Sequence, residues 1–422
     1  MIPIQKIRSH KNDILEKLKK KHFSELHLLE EILLLDDKRK GTQRLLDDIL
    51  AQSNQLSKQI PILIKEGKKA EAEELKSESA SLKSATQAYA DEMRALEKLI
   101  VDIHVQIPNI PHDNVGHGRA AEDNVTIRTG GKIPQLIDDA LPHWELTKKY
   151  DIIDFDLGVK LTGAGFPVYK GKGAKLERAL IQYFLDKASD AGYLEIIPPL
   201  MVNEESAFAT GQLPDKEGQM YQNQDGFYMI PTAEVPVTNI YRDTVIAEND
   251  LPIKLTAYSQ CFRREAGSYG KDVRGLNRLH QFDKVEIVEL VKPETSYSTL
   301  EIMTSHIENL LKELELPYRV LLLCGGDMSF ASALTYDLEV YSAAQEKWLE
   351  VSSVSNFEDF QANRLKARYK NAEGKIELCH TLNGSALALP RIVAALLENN
   401  QTEKGIKIPK VLIPYTKFEY ID

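Results

Sequence analysis

Four stretches of this chain crowd reactive side chains together. The first is FRREAGSYGKDVRGLNRLHQF, residues 262–282. Alternation predicts a strand running through YSQCFRRE and a second through HQFDKVEIVEL, with Gly267, Ser268, Gly270 and Asp272 supplying the turn chemistry between them. On the first strand Arg263 and Glu265 share one face and Arg264 takes the other; on the second Phe282 and Glu286 share a face, with Lys284 between them. An arginine for phosphate, an aromatic face for a base and a carboxylate acceptor for an exocyclic amine are what a bound nucleotide needs. A surface hairpin with cross-strand ion pairs would use the same residues.

The second stretch, YMIPTAEVPVTNIYRD (228–243), sets Glu234 in an otherwise apolar run. A buried carboxylate needs a cationic partner, either an internal arginine or the ammonium of a substrate. The third, DLEVYSAAQEKWLEVSSVSNFEDFQANR (337–364), puts Glu350 and Ser352 on one face of a strand by simple alternation. A carboxylate and a hydroxyl are reasonable hard ligands for Mg²⁺ held together with phosphate oxygens, although both are common on strands. The fourth, CHTLNGSALALPRIVAALLENNQ (379–401), runs through the small residues Gly384, Ser385, Ala386 and Ala388 to Pro390, which suits the first turn of a helix, with Arg391 next. Small residues let a ligand approach the backbone, and a helix start beside an arginine favours anions. Tight helix packing would select small residues equally well.

Such side chains need a rigid frame. YLEIIPPLMV, IKLTAYSQCF, FDKVEIVELV, YRVLLL, DLEVY and KWLEVSSV read as strands, and residues 173–192 and 295–316 as helices. Strands that follow one another without long helices between them predict an α+β fold: an antiparallel sheet flanked by helices, not a doubly wound parallel sheet. Neither G-x-G-x-x-G after a strand nor G-x-x-x-x-G-K-[ST] occurs, so an ATP site here uses neither scaffold.

Residues 24–100 read as helix almost throughout. One seven-residue repeat runs through Leu28, Leu35, Thr42, Ile49, Leu56 and Leu63, with Ile32, Arg39, Leu46, Ser53 and Ile60 between. A second runs through Leu75, Leu82, Tyr89 and Leu96, with Ala72, Ser79, Thr86, Met93 and Ile100 between. Pro61 and Gly67 are the breakers, which predicts a long antiparallel coiled-coil hairpin; a dimerising coiled coil is the alternative. IPNIPHDNVGHG divides the chain into residues 1–106, a connector at 107–118, and a main domain at 119–422.

The chain has 422 residues and a net charge of −10, which on its face disfavours nucleic acid. The charge is uneven: residues 1–100 are at +2 and the remainder at −12, so a polyanion could still bind the first part. No apolar run is long enough to span a membrane. Three scattered cysteines, Cys261, Cys324 and Cys379, argue against a disulfide framework and point to the cytoplasm.

Taken in order, PTAEVPVTN, CFRREAGSYGKDVRGLNRLHQFDKVEI, LEVSSVSNFEDFQANR and HTLNGSALALPRIVAALLENNQ resemble the seryl-tRNA synthetases of bacterial type, which are class II aminoacyl-tRNA synthetases. The hairpin, IPNIPHDNV and HWEL (143–146) are similar to the same family, and GYLEIIPPLMV looks like its first motif, with Pro199 at a dimer interface. Fewer glycines precede Arg391 than the family's third motif usually has. The resemblance implies ATP-dependent formation of seryl-adenylate, transfer of serine to tRNA-Ser, and a homodimer; whether a selenocysteine tRNA is also charged stays open. It implies catalytic roles for Arg263 and Arg391. It places ATP on Arg263, Glu265, Phe282, Arg278 and Arg391, with Arg264 of little weight, and Mg²⁺ on Glu350 and Ser353, alongside Val351 and Ser352. It places L-serine on Thr232, Ala233, Glu234, Glu286 and Ser385, with Thr381 and Asn383 nearby. The arm should meet tRNA through Lys58, Lys65, Lys68 and Lys69 near its tip and Arg39 and Arg44 along it. The alternatives are a class II-like adenylating enzyme with another acceptor, and a synthetase-like binding protein without catalysis.

Overall fold

The computed structural model describes residues 1–265 and 274–422. The loop expected at Gly267, Ser268, Gly270 and Asp272 lies outside the described residues. The chain divides into two compact units, one of residues 2–19 and 23–108, the other of residues 1, 20–22 and 109–422.

In the smaller unit, α1 (Ile4–Lys20) packs beside the hairpin of α2 (Leu28–Lys65) and α3 (Lys69–His104). Every residue of the two heptad seams is buried or half-buried, while most positions between them are exposed. The apolar stripes meet along both helices because each recurs every 3.5 residues. The turn falls at residues 66–68, where Gly67 adopts φ +78°. Pro61 does not break α2, contrary to the expectation. The helix runs one turn past it to Lys65, with Ile60 and Leu63 half-buried in the seam. Arg39 is not free for phosphate either: it and Arg8 each pair with buried Asp36 at 2.9 Å, and Lys40 joins them at 2.7 Å. Burial raises the Asp36 carboxyl, but these three cations win and hold it at about 2. Lys58, Lys65, Lys68, Lys69 and Arg44 are exposed, with Lys68 against Glu66 at 2.9 Å.

The larger unit is built on an eight-stranded sheet: β1 (Val125–Gly130), β2 (Leu194–Glu195), β3 (Ile253–Phe262), β4 (Gln281–Val291), β5 (Tyr318–Leu322), β6 (Leu334–Ser342), β7 (Lys347–Asn356) and β8 (His380–Ala388). Their order is β1-β5-β6-β7-β8-β4-β3-β2, antiparallel except for the β2–β3 pair. Helices α4 (Gly171–Asp190), α5 (Ser296–Glu313) and α6 (Leu389–Asn399) carry apolar faces onto one side of the sheet. Leu180, Phe184, Met303, Ile307, Ile392 and Leu396 there meet Val285, Ile287, Val354 and Leu382. Strand geometry then turns Phe282, Lys284 and Glu286 to the opposite side of β4, where the chemistry-bearing stretches converge. Among the described residues, no helix is long and apolar enough to cross a membrane, and the three cysteines are free and buried.

Candidate active site

The sheet register brings three of the four stretches side by side. β3 and β4 pair Cys261 with Phe282 and Ala257 with Glu286; β4 and β8 pair Glu286 with Ser385. The strand expected to reach Glu265 ends at Phe262, and Glu265 takes φ +50°. Alternation therefore does not set the faces of residues 263–265. Arg263 still follows the sheet, its N–H donating to the His280 carbonyl at 2.9 Å, whereas the Arg264 N–H leaves it for the Gln219 carbonyl. Arg263 lies over the Phe282 ring at 5.2 Å and Arg264 over Tyr221 at 5.8 Å, so only the first belongs to the cleft.

Two carboxylates lie deep in that cleft. Glu286 is 1% exposed; its Oε2 pairs with Lys284 Nζ at 2.6 Å, and its Oε1 has no hydrogen-bond donor among the described residues. Ser385 Oγ approaches Glu286 Oε2 at 3.4 Å. Of the two partners its burial called for, an internal arginine does not bond Glu234 among the described residues. Glu234 opens a short helix, Glu234–Asn239, preceded by buried Ala233, and its N–H donates to Thr232 Oγ1. Its side chain accepts from Gln361 Nε2 at 2.6 Å, and Gln361 Oε1 in turn accepts from Thr381 Oγ1 at 2.7 Å. Burial, with the charge of Glu286 beside it, pushes the Glu234 carboxyl up to about 7 against the Gln361 amide and the fields of Lys284 and Arg263. Asn383, on the same side of β8 as Thr381 and Ser385, is half-buried.

Simple alternation does not hold between Glu350 and Ser353. A bulge in β7 opposite Leu338 and Glu339 takes up Val351, so Glu350 pairs with Glu339 and Ser353 with Asp337. One extra residue reverses the alternation, bringing Glu350 and Ser353 to one face with Ser353 Oγ 3.3 Å from Glu350 Oε1. Val351 and Ser352 turn inward, and Ser352 Oγ donates to the Ser385 carbonyl at 2.6 Å. Buried Asp337 faces this pair with Oδ1 lacking a donor among the described residues; burial and then the Glu350 charge hold its carboxyl well above the carboxylate range. Arg391, one residue past Pro390 at the start of α6, donates to the Glu350 carbonyl at 2.6 Å, and Arg278 contacts the Glu265 carboxylate.

Sequence reasoning missed Gln361, Lys284 and Asp337 as members of this constellation. Gln361 stood in the quoted NFEDFQANR and Lys284 in the quoted strand. Gln361 is singled out only by its contacts with Glu234, 127 residues away, and Thr381. Lys284 pairs with Glu286 two residues on, and Asp337 meets Glu350 and Ser353 across the β6–β7 pair.

An antiparallel sheet carrying two arginines, an aromatic platform and buried carboxylates is the architecture of a class II aminoacyl-tRNA synthetase, and residues 218–400 match the family model for the tRNA synthetase class II core domain (G, H, P, S and T). Residues 1–111 match the seryl-tRNA synthetase N-terminal domain. The serine–tRNA ligase of Salinibacter ruber is 49% identical over 424 residues, spanning 100% of this chain and 99% of that protein. The solved structure of seryl-tRNA synthetase from Pyrococcus horikoshii complexed with ATP is 32% identical, with a TM-score of 0.90 over 99% of both chains. That of the Naegleria fowleri cytoplasmic enzyme in complex with AMP is 27% identical, with a TM-score of 0.86 over 100% of this chain and 99% of that one. The chain belongs to the seryl-tRNA synthetase family.

Proposed function

We propose that this chain is a serine–tRNA ligase. It activates L-serine with ATP and passes the seryl group to the 3′-terminal adenosine of tRNA-Ser. The observation that carries the choice of amino acid is the pair of buried carboxylates: Glu286 Oε1 awaits a donor, and Glu234 awaits a positive charge. The hydroxyl and ammonium of serine supply one of each. Alanine leaves the acceptor undonated and is rejected on that ground. Threonine is excluded by size.

The serine carboxylate attacks the α-phosphorus, a P–O bond to serine forms, and pyrophosphate leaves. The protein's part is positioning and charge neutralisation. Arg263 holds the α-phosphate and Phe282 carries the adenine ring. Glu265 accepts from the adenine amine, and Arg278 and Arg391 take the terminal phosphates or the far face of the ring. Nucleotide binding then exchanges the Arg278–Glu265 contact for these partners. Glu350, Ser353 and the undonated oxygen of Asp337 are hard ligands that fit Mg²⁺, which when bound screens the phosphate charge. Asp337→Asn should raise the Mg²⁺ concentration for half-maximal activity about tenfold, read from a Mg²⁺ titration.

The arm meets tRNA through exposed bases such as Lys58, Lys65, Lys69 and Arg44. The enzyme acts in the cytoplasm as a homodimer; Leu194, Ile197 and Met201 are exposed apolar side chains that a second copy would cover, Ile197 being 90% exposed.

The deciding assay is amino-acid-dependent ATP–pyrophosphate exchange without tRNA. Exchange with serine alone supports the assignment. Exchange with another amino acid overturns the specificity, and exchange with none overturns the chemistry. The Glu234 carboxyl adds a pH signature. Protonated Glu234 cannot pair with the ammonium, so the serine KM should rise as pH falls below about 7 and level off above it. Glu234→Gln should weaken serine at every pH and remove the slope, as read from serine KM against pH.

A further inference from the structure

The chemistry above leaves one buried polar network unused. His143 opens the short helix His143–Lys149 within the HWEL sequence, and its ring is fully buried. Nδ1 lies 2.7 Å from Glu398 Oε1, which also accepts the His143 backbone N–H at 2.9 Å. The Leu276 backbone N–H donates to Nε2 at 2.8 Å. A donor at Nε2 requires a lone pair there, so the ring proton is on Nδ1 and directed at Glu398. The chain presses so close at Gly275, which takes φ +65°, that a Cβ there would lie 2.2 Å from Nε2.

A second brace runs in parallel. Gln345 Nε2 donates to Glu398 Oε1 at 2.8 Å, and Gln345 Oε1 accepts from Asn277 Nδ2 at 3.1 Å. The Asn277 carbonyl accepts from Arg391 Nε at 3.1 Å, and the next residue is Arg278. Glu398 and Arg391 stand two turns apart on α6, on the same face. One buried His–Glu pair thus fixes the backbone on which Arg278 rides and the carbonyl that aims Arg391.

We infer that His143, oriented by Glu398, is a positioning residue for the nucleotide side of the active site, an inference that rests on the ligase reading. Asparagine at 143 keeps a donor near Nδ1 but removes the acceptor for Leu276; glutamine keeps an acceptor near Nε2. His143→Asn should weaken ATP, by calorimetric Kd and by KM in exchange, by about tenfold to a hundredfold, with the serine KM within about twofold of wild type. His143→Gln should recover most of the ATP affinity. A purely structural residue would lower the melting temperature without separating ATP from serine. If His143→Asn does not fold, Gln345→Ala carries the test, since its side chain is half-buried and a several-fold loss of ATP affinity is expected. Wild-type ATP affinity in the folded variant, or equal losses for ATP and serine, overturns the inference. Wild-type protein that binds ATP but shows no serine-dependent exchange overturns the ligase reading instead, and selective ATP loss in the variant would still support the positioning role.

Discussion

Arg263→Ala abolishes serine-dependent ATP–pyrophosphate exchange, with a loss of at least about a thousandfold expected for an arginine that neutralises charge on a transferring phosphoryl group. The guanidinium is held for that task. It stacks 5.2 Å from the Phe282 ring and donates through Nε to the Pro231 carbonyl at 3.4 Å, leaving its other donors for the cleft. Arg263→Lys keeps the charge but not the planar fork, and should recover little. The fold should survive either change, because the side chain is half-buried and packs at the end of β3, not in the core. Exchange near the wild-type rate in a folded Arg263→Ala protein would remove this residue from the mechanism.

The second large effect is at the arm. Replacing residues 46–86 by a short glycine-rich turn should leave serine-dependent exchange within about twofold and lower kcat/KM for aminoacylation of tRNA-Ser by at least about a hundredfold, the size expected when several phosphate contacts are lost. The cut spares Leu28, Leu29 and Ile32 of α2 and Met93, Leu96 and Ile100 of α3, the buried apolar residues at the base of the hairpin, so the shortened helices keep their packing. Wild-type charging by this variant would exclude the arm from tRNA recognition. For the intact chain, charging should weaken as salt is raised while exchange changes little, since only the former depends on released counterions.

These two regions differ in how far the sequence alone specifies them. The hairpin was legible almost residue by residue, because its stability comes from a repeat that each helix carries locally and that needs only its neighbour to be buried. Gly67 marked its turn correctly; Pro61 misled, because α2 carries its half-buried seam residues Ile60 and Leu63 through it to Lys65. The long central strands were legible too, since period-two alternation and β-rich composition belong to the segment itself, but Val125–Gly130 was not read as a strand and YLEIIPPLMV gives this sheet only Leu194–Glu195. Legible as well were the side chains shared by β4: Phe282, Lys284 and Glu286 follow from pleating alone.

Tertiary structure decided what depends on register and on distant partners. A single bulge at Val351, set by how β7 lies against β6, decides that Ser353 and not Ser352 joins Glu350. Glu234 accepts from Gln361, 127 residues away, and Thr381 completes that chain from β8. Glu265 leaves the strand on a left-handed residue, which alternation does not foresee. His143 and Glu398 are 255 residues apart and meet beside a loop that belongs to neither. Each of these contacts is an agreement between segments that carry no local record of one another, so periodicity names the elements while sheet order and packing choose the partners.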